Sequence, residues 1–92
     1  MMAHRTDNNQ AKIVRTLKAV GATVTDTSMV GGGFPDLVVG FCKKDFKIEI
    51  KNPDARGKLR TSQIIFQEFW KGEGVHVVES VEDALKVIGV KC

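Results

Sequence analysis

Residues Phe46-Lys47-Ile48-Glu49-Ile50-Lys51 alternate apolar and charged side chains without a break. Successive side chains of a β-strand point to opposite faces, so this period predicts a half-buried strand. Just upstream, Leu37-Val38-Val39 predicts a second strand from about Asp36 to Phe41, with Cys42-Lys43-Lys44-Asp45 as the turn of a hairpin. Burial also predicts a register. A turn centred between Lys43 and Lys44 sets Asp36 opposite Lys51 and Val38 opposite Glu49. Leu37, Val39, Phe41, Phe46, Ile48 and Ile50 then share an apolar face, and Asp36, Glu49 and Lys51 share the other. A one-residue slip would carry charges into the apolar face. In this register Asp36 and Glu49 are diagonal neighbours, with Cα atoms about 7–8 Å apart.

Around the hairpin the pattern predicts three helices and two further strands. Ile13, Leu17 and Val20 form one stripe of a first helix, starting after Asp7 or Asn8 and stopped by Gly21. Residues 22–25 read as a short strand, and Gly31-Gly32-Gly33 as a flexible connection. Asn52 to Arg60 is polar and contains Pro53 and Gly57, so it reads as a loop. Thr61 or Ser62 can cap a second helix, whose apolar side carries Ile65, Phe66 and Phe69. Val75 to Val78 reads as a strand. Ser80 with Asp83 caps a last helix bearing Ala84, Leu85 and Ile88. The order is α-β-β-β-α-β-α, an α/β class chain. At 92 residues it is one domain with one core, residues 1–7 forming a flexible end.

Composition narrows the classes. With 42% hydrophobic and 27% charged residues the chain is an ordinary globular domain. It has no apolar run of membrane-spanning length, so no membrane partner is expected. Cys42 and Cys92 read as free thiols of a reducing compartment, hence a cytoplasmic location, and no zinc-ligand spacing is present. The net charge of +3 is concentrated in residues 36–60, which hold seven basic and four acidic side chains. Lys51, Arg56, Lys58 and Arg60 suit a polyanion such as nucleic acid. From charge alone, a solvated loop accounts for them as well.

Asp36, Glu49 and Lys51 are the one set with chemistry. Two carboxylates on a polar face suit a hard divalent cation; Mg²⁺ takes oxygen ligands and often pairs one or two carboxylates with substrate phosphate. Such an ion can activate water and neutralise charge developing on a phosphodiester. The Ile50 carbonyl can complete the ligand set, and Lys51 can act on the water or the charge. The plainer alternative is an exposed salt-bridge cluster.

Phe34-Pro35-Asp36 followed by Ile48-Glu49-Ile50-Lys51 resembles the PD-(D/E)xK nuclease signature. With Gly31–Gly33 before it, Val38-Val39-Gly40 within it, and Leu59, Ser62, Gln63 and the Trp70–Gly72 segment after it, the chain resembles a small stand-alone VRR-NUC domain over residues 8–90. That is the virus-type replication-repair nuclease family of phages and bacteria. The resemblance implies a restriction-endonuclease-like fold and Mg²⁺- or Mn²⁺-dependent hydrolysis of DNA, on branched substrates such as Holliday junctions, by a homodimer. It implies metal binding by Asp36 and Glu49, a catalytic Lys51, and support from Gln63. Gln10 stands where family members commonly carry a glutamate, so it brings a hydrogen-bonding amide to the metal site but no charge.

Several residues keep two readings at this level. Gln63 is a site residue or a surface glutamine. Gly32 and Gly33 are a turn, or let DNA approach, with Arg56, Lys58 and Arg60 on flanking phosphates. Phe69 and Trp70 read as core or dimer-contact residues in preference to a base-stacking platform. A non-catalytic nucleic-acid-binding module and a structural protein with a charged face remain alternatives to the nuclease.

Overall fold

Strand β2 (Leu37–Phe41) pairs antiparallel with β3 (Lys44–Ile50), so the hairpin expected from the alternation is the centre of the sheet. The computed structural model describes residues 5–52 and 59–92. Strand β1 (Thr23–Asp26) adds antiparallel to β2, and β4 (Val75–Val78) adds parallel to β3. The sheet is four-stranded and mixed, in the order β1-β2-β3-β4. Parallel neighbours need a crossover, and α2 (Thr61–Phe69) lies in the connection between β3 and β4. With α1 (Arg5–Ala19) and α3 (Val81–Ile88) the order is α-β-β-β-α-β-α, a mixed α/β chain as expected. Helix α1 begins at Arg5, so residues 5–7 of the expected flexible end are helical.

The core forms where α1 and α3 meet the apolar face of the sheet. Ile13 and Leu17 of α1, Leu37, Val39, Phe41, Ile48 and Ile50 of the hairpin, Val78, and Ala84 and Ile88 of α3 are all buried in it. Ser80 caps α3 as expected, its hydroxyl accepting from the Asp83 N–H at 3.1 Å. Gly89 closes the helix at φ 88°, a left-handed conformation that glycine adopts without a side-chain clash.

Three expectations are corrected. First, the hairpin register is two residues tighter, with Leu37 opposite Ile48 and Phe41 opposite Lys44. The turn is only Cys42-Lys43, with φ of 54° and 67°. Two positive φ values are the geometry that matches the twist of a two-residue hairpin, though Asn-Gly is its usual sequence. A shift of two leaves every side chain on the same face, so burial could not separate the two registers. Second, α2 does not bury Ile65 and Phe69; each is exposed, and Gln63 is the buried side chain. Its N-cap is Arg60, not Thr61 or Ser62. Third, Cys42 and Cys92 are joined in a disulfide, with Cα atoms 5.4 Å apart. The chain leaving α3 returns to the β2–β3 turn, an approach that 50 residues of separation conceal. The cytoplasmic expectation rested on free thiols, and this bond removes that ground. No helix among the described residues is long and apolar enough to cross a membrane.

Candidate functional site

The tighter register matters most at the open end of the hairpin. One step beyond the Leu37–Ile48 pair, Asp36 comes opposite Glu49, not diagonal to it. Directly opposed residues have Cα atoms about 5 Å apart, so the two carboxyls are closer than the sequence implied. Their shared face is the one turned away from the α1–α3 core.

Asp36 is held from both sides. The Ile50 N–H donates to Asp36 Oδ2 at 2.8 Å, which lays the Ile50 peptide beside the carboxyl group. The Asp36 carbonyl accepts from the Thr27 N–H at 2.8 Å, continuing the β1–β2 ladder by one step. Thr27 Oγ1 also donates to the carbonyl of Pro35 at 2.8 Å. Pro35 is fully buried and has no N–H to satisfy there. Thr27 is therefore a positioning residue that no sequence pattern marked.

Glu49 is only 3% exposed. Its carboxylate accepts a hydrogen bond from Gln63 Nε2 at 2.5 Å. Gln63 Oε1 in turn accepts from the Arg60 N–H at 2.8 Å, closing the first turn of α2. The backbone fit is equally close: a side chain at Gly33 would run into the Ser62 carbonyl. Gly33, at φ 83°, therefore packs against α2 and gives no open approach, whereas Gly32 faces open space. Phe34 then meets Phe66 edge-on, at 5.3 Å between ring centroids.

The electrostatics follow from this crowding. Burial, then the nearby Asp36 charge, push the Glu49 pKa from an ordinary 4.5 up to about 8. The charge of Arg60 acts in the opposite sense. Arg60 was expected out of reach of this face, on flanking phosphate; the α2 N-terminus instead brings it within electrostatic reach of Glu49. Lys51 continues the alternation of Glu49, half-buried, with its N–H on the Val78 carbonyl at 2.8 Å.

Gln10 donates from Nε2 to Asp26 Oδ2 at 3.1 Å, so its amide is engaged by another carboxylate. Asp26 is itself held below the usual carboxylate range by the Ser28 hydroxyl and N–H. Arg56 and Lys58 lie outside the described residues. Among the described residues, no three His, Cys, Asp or Glu side chains gather as a metal-binding group. The donor set at the hairpin is two carboxyls, which fits a cation that keeps several of its waters. No family model, curated protein or solved structure matches the chain.

Proposed function

We propose that this chain is a metal-dependent DNA endonuclease, built on a restriction-endonuclease-like PD-(D/E)xK core of the VRR-NUC type. The observation that carries the reading is the Asp36–Glu49 pair, directly opposed on a hairpin, with Glu49 buried and its pKa raised to about 8. Two carboxyls held together at this cost, first in burial and then in charge repulsion, suit a divalent cation that both can share.

Asp36, Glu49 and the Ile50 carbonyl would hold Mg²⁺ or Mn²⁺. Bound there, the ion supplies an activated water and neutralises charge on the phosphodiester. Lys51 and Arg60 add positive charge for the phosphate undergoing attack. Gln63 keeps the Glu49 carboxylate aimed by fixing one of its oxygens. Branched or structured DNA is the proposed substrate, and a homodimer would bring two such sites to two strands.

The test is incubation with Mg²⁺ or Mn²⁺ and a panel of linear, flap and four-way DNA, alongside Asp36→Asn and Glu49→Gln. These variants keep side-chain volume and one acceptor oxygen each, and remove the negative charge. Nicking by the parent and by neither variant is the expected result; equal nicking by all three assigns the activity to a contaminant and removes the reading.

One observation favours a non-catalytic nucleic-acid-binding module as the second reading. A Glu49 that keeps its proton near neutral pH can hydrogen-bond to Asp36 and needs no ion. That module would bind DNA equally well with and without metal and cut none of it.

A further inference from the structure

Two large aromatic side chains at the C-terminal end of α2 are unexpectedly open. Phe69 is 68% exposed and Trp70 43% exposed, although both were expected in a core or a dimer contact. Trp70 is not loose. Its ring stacks on Phe66 at 4.9 Å and 20°, and the Lys47 ammonium stands 5.3 Å from its centroid.

Lys47 shares a strand face with Glu49, two residues along β3, which is about 7 Å. Beyond Trp70 a concavity of about 450 Å³ opens between the β2–β3 turn and the end of α2. Lys43, Lys44, Lys47 and Trp70 line it, with Asp45 and Glu73 as the opposing charges. From Glu49 to Lys43 along the strand is about 20 Å, the reach of a few extended nucleotides.

We propose that Trp70, with Lys43, Lys44 and Lys47, is a stacking platform for an unpaired base of single-stranded DNA lying beside the Asp36–Glu49 pair. The choice of DNA as the ligand rests on the nuclease reading. The platform itself rests on the exposed ring and its lysines. Bases stack on aromatic faces regardless of sequence, and phosphates pair with lysine. A duplex keeps its bases stacked inside and offers the ring nothing. Lys47 has a flexible stem and can exchange the ring for a phosphate. A second copy of the chain fits less well. A two-fold interface sets a patch against itself, and this one carries three lysines to two carboxylates, a net positive charge that would be doubled.

The protein carries one tryptophan and no tyrosine, so its emission reports Trp70 alone. The experiment titrates the full chain, in EDTA so that nothing is cut, with a thymidine 12-mer, a blunt duplex of equal length and inorganic polyphosphate. The 12-mer is expected to quench emission strongly, the duplex to bind at least about tenfold more weakly, and polyphosphate to bind without quenching. With labelled 12-mer, Trp70→Phe is expected to bind within about twofold of the parent. Trp70→Leu, which keeps apolar packing on Phe66, is expected to lose about fivefold or more. No quenching by the 12-mer, equal quenching by polyphosphate, or emission that follows protein dilution and dimerisation instead of DNA would each overturn the platform. Quenching without cleavage would remove the nuclease reading and keep the platform. Cleavage without quenching would do the reverse.

Discussion

Gln63 and Glu49 share a hydrogen bond across the gap between α2 and the sheet, Nε2 to Oε2 at 2.5 Å. The other end of the same amide accepts from the Arg60 N–H. One side chain thus ties the start of a helix to a buried carboxyl, and each depends on the other for position. Burial explains the choice of residue. Glu49 in contact with an aliphatic side chain would lack a partner, and a carboxylate at 63 would bring a second negative charge beside that of Asp36 and no N–H donor.

Replacing Gln63 by Ala should therefore loosen two things at once. Glu49 loses its donor and α2 loses the closure of its first turn. The expected loss is about 1–3 kcal/mol in urea unfolding, the range for stripping a partner from a buried polar group. Gln63→Glu should weaken the fold at alkaline pH more than at pH 5. An alanine variant with an unchanged midpoint would show that α2 is held by Gly33 and Phe66 alone.

Glu49 should make stability fall as pH rises. Its folded pKa of about 8 lies above the ordinary 4.5, so the folded chain holds this proton more tightly than the unfolded one. The associated stability is fully present below about 4.5 and is lost as pH rises through 8. The groups identified around it are Asp36, which raises the value, and Arg60, which lowers it. Glu49→Gln removes the titration and should be more stable than the parent at pH 9 by about 1–3 kcal/mol. Arg60→Gln should move the transition to higher pH. Urea midpoints between pH 4 and 9 decide it, and parallel parent and Glu49→Gln curves would place Glu49 in an ordinary environment.

The strand faces were legible because a period of two has only one buried solution. The register was not, since a shift of two preserves that solution, and Cys42-Lys43 gives no glycine or asparagine signal for its turn. The α2 stripe of Ile65, Phe66 and Phe69 suggested core, but a helix pattern says nothing about what it will face. Here it lies against Glu49, so a glutamine turned inward and the aliphatics outward. Asp36 and Glu49 were legible as a pair. Thr27, Arg60 and the packing role of Gly33 depend on contacts between segments distant in sequence.

The Gly33 contact yields a paired test. Gly33→Ala meets both a left-handed φ of 83° and the Ser62 carbonyl, so it should cost about 1–3 kcal/mol and displace α2 from Glu49. Gly32→Ala has a φ of 65° but open space around it. Its effect should be smaller and should leave the Glu49 titration intact. Matching losses in the two variants would mean that backbone conformation alone is at work.

Reduction of the Cys42–Cys92 bond should lower stability by about 4 kcal/mol on the chain-entropy account, since it closes a long loop. The double variant Cys42→Ser, Cys92→Ser should unfold at the same urea concentration as the reduced parent. A parent whose midpoint ignores reductant would show that the thiols are free in solution.

Metal binding supplies the last test, because a carboxyl must lose its proton to ligate. If Mn²⁺ binds Glu49, its affinity should rise as pH rises toward about 8 and level off above it. The expected slope is up to about tenfold per pH unit, with nearly one proton released per ion at pH 6.5. Calorimetry in two buffers of different ionisation enthalpy counts that proton directly, and needs no DNA. Asp36→Asn removes a ligand but also the neighbour that holds the Glu49 proton. It should bind Mn²⁺ more weakly at every pH and release fewer protons near neutrality. Glu49→Gln should release none. Mn²⁺ affinity that is flat from pH 6 to 8, with no proton released by the parent, would place the ion away from Glu49 and leave the buried pair with a purely structural role.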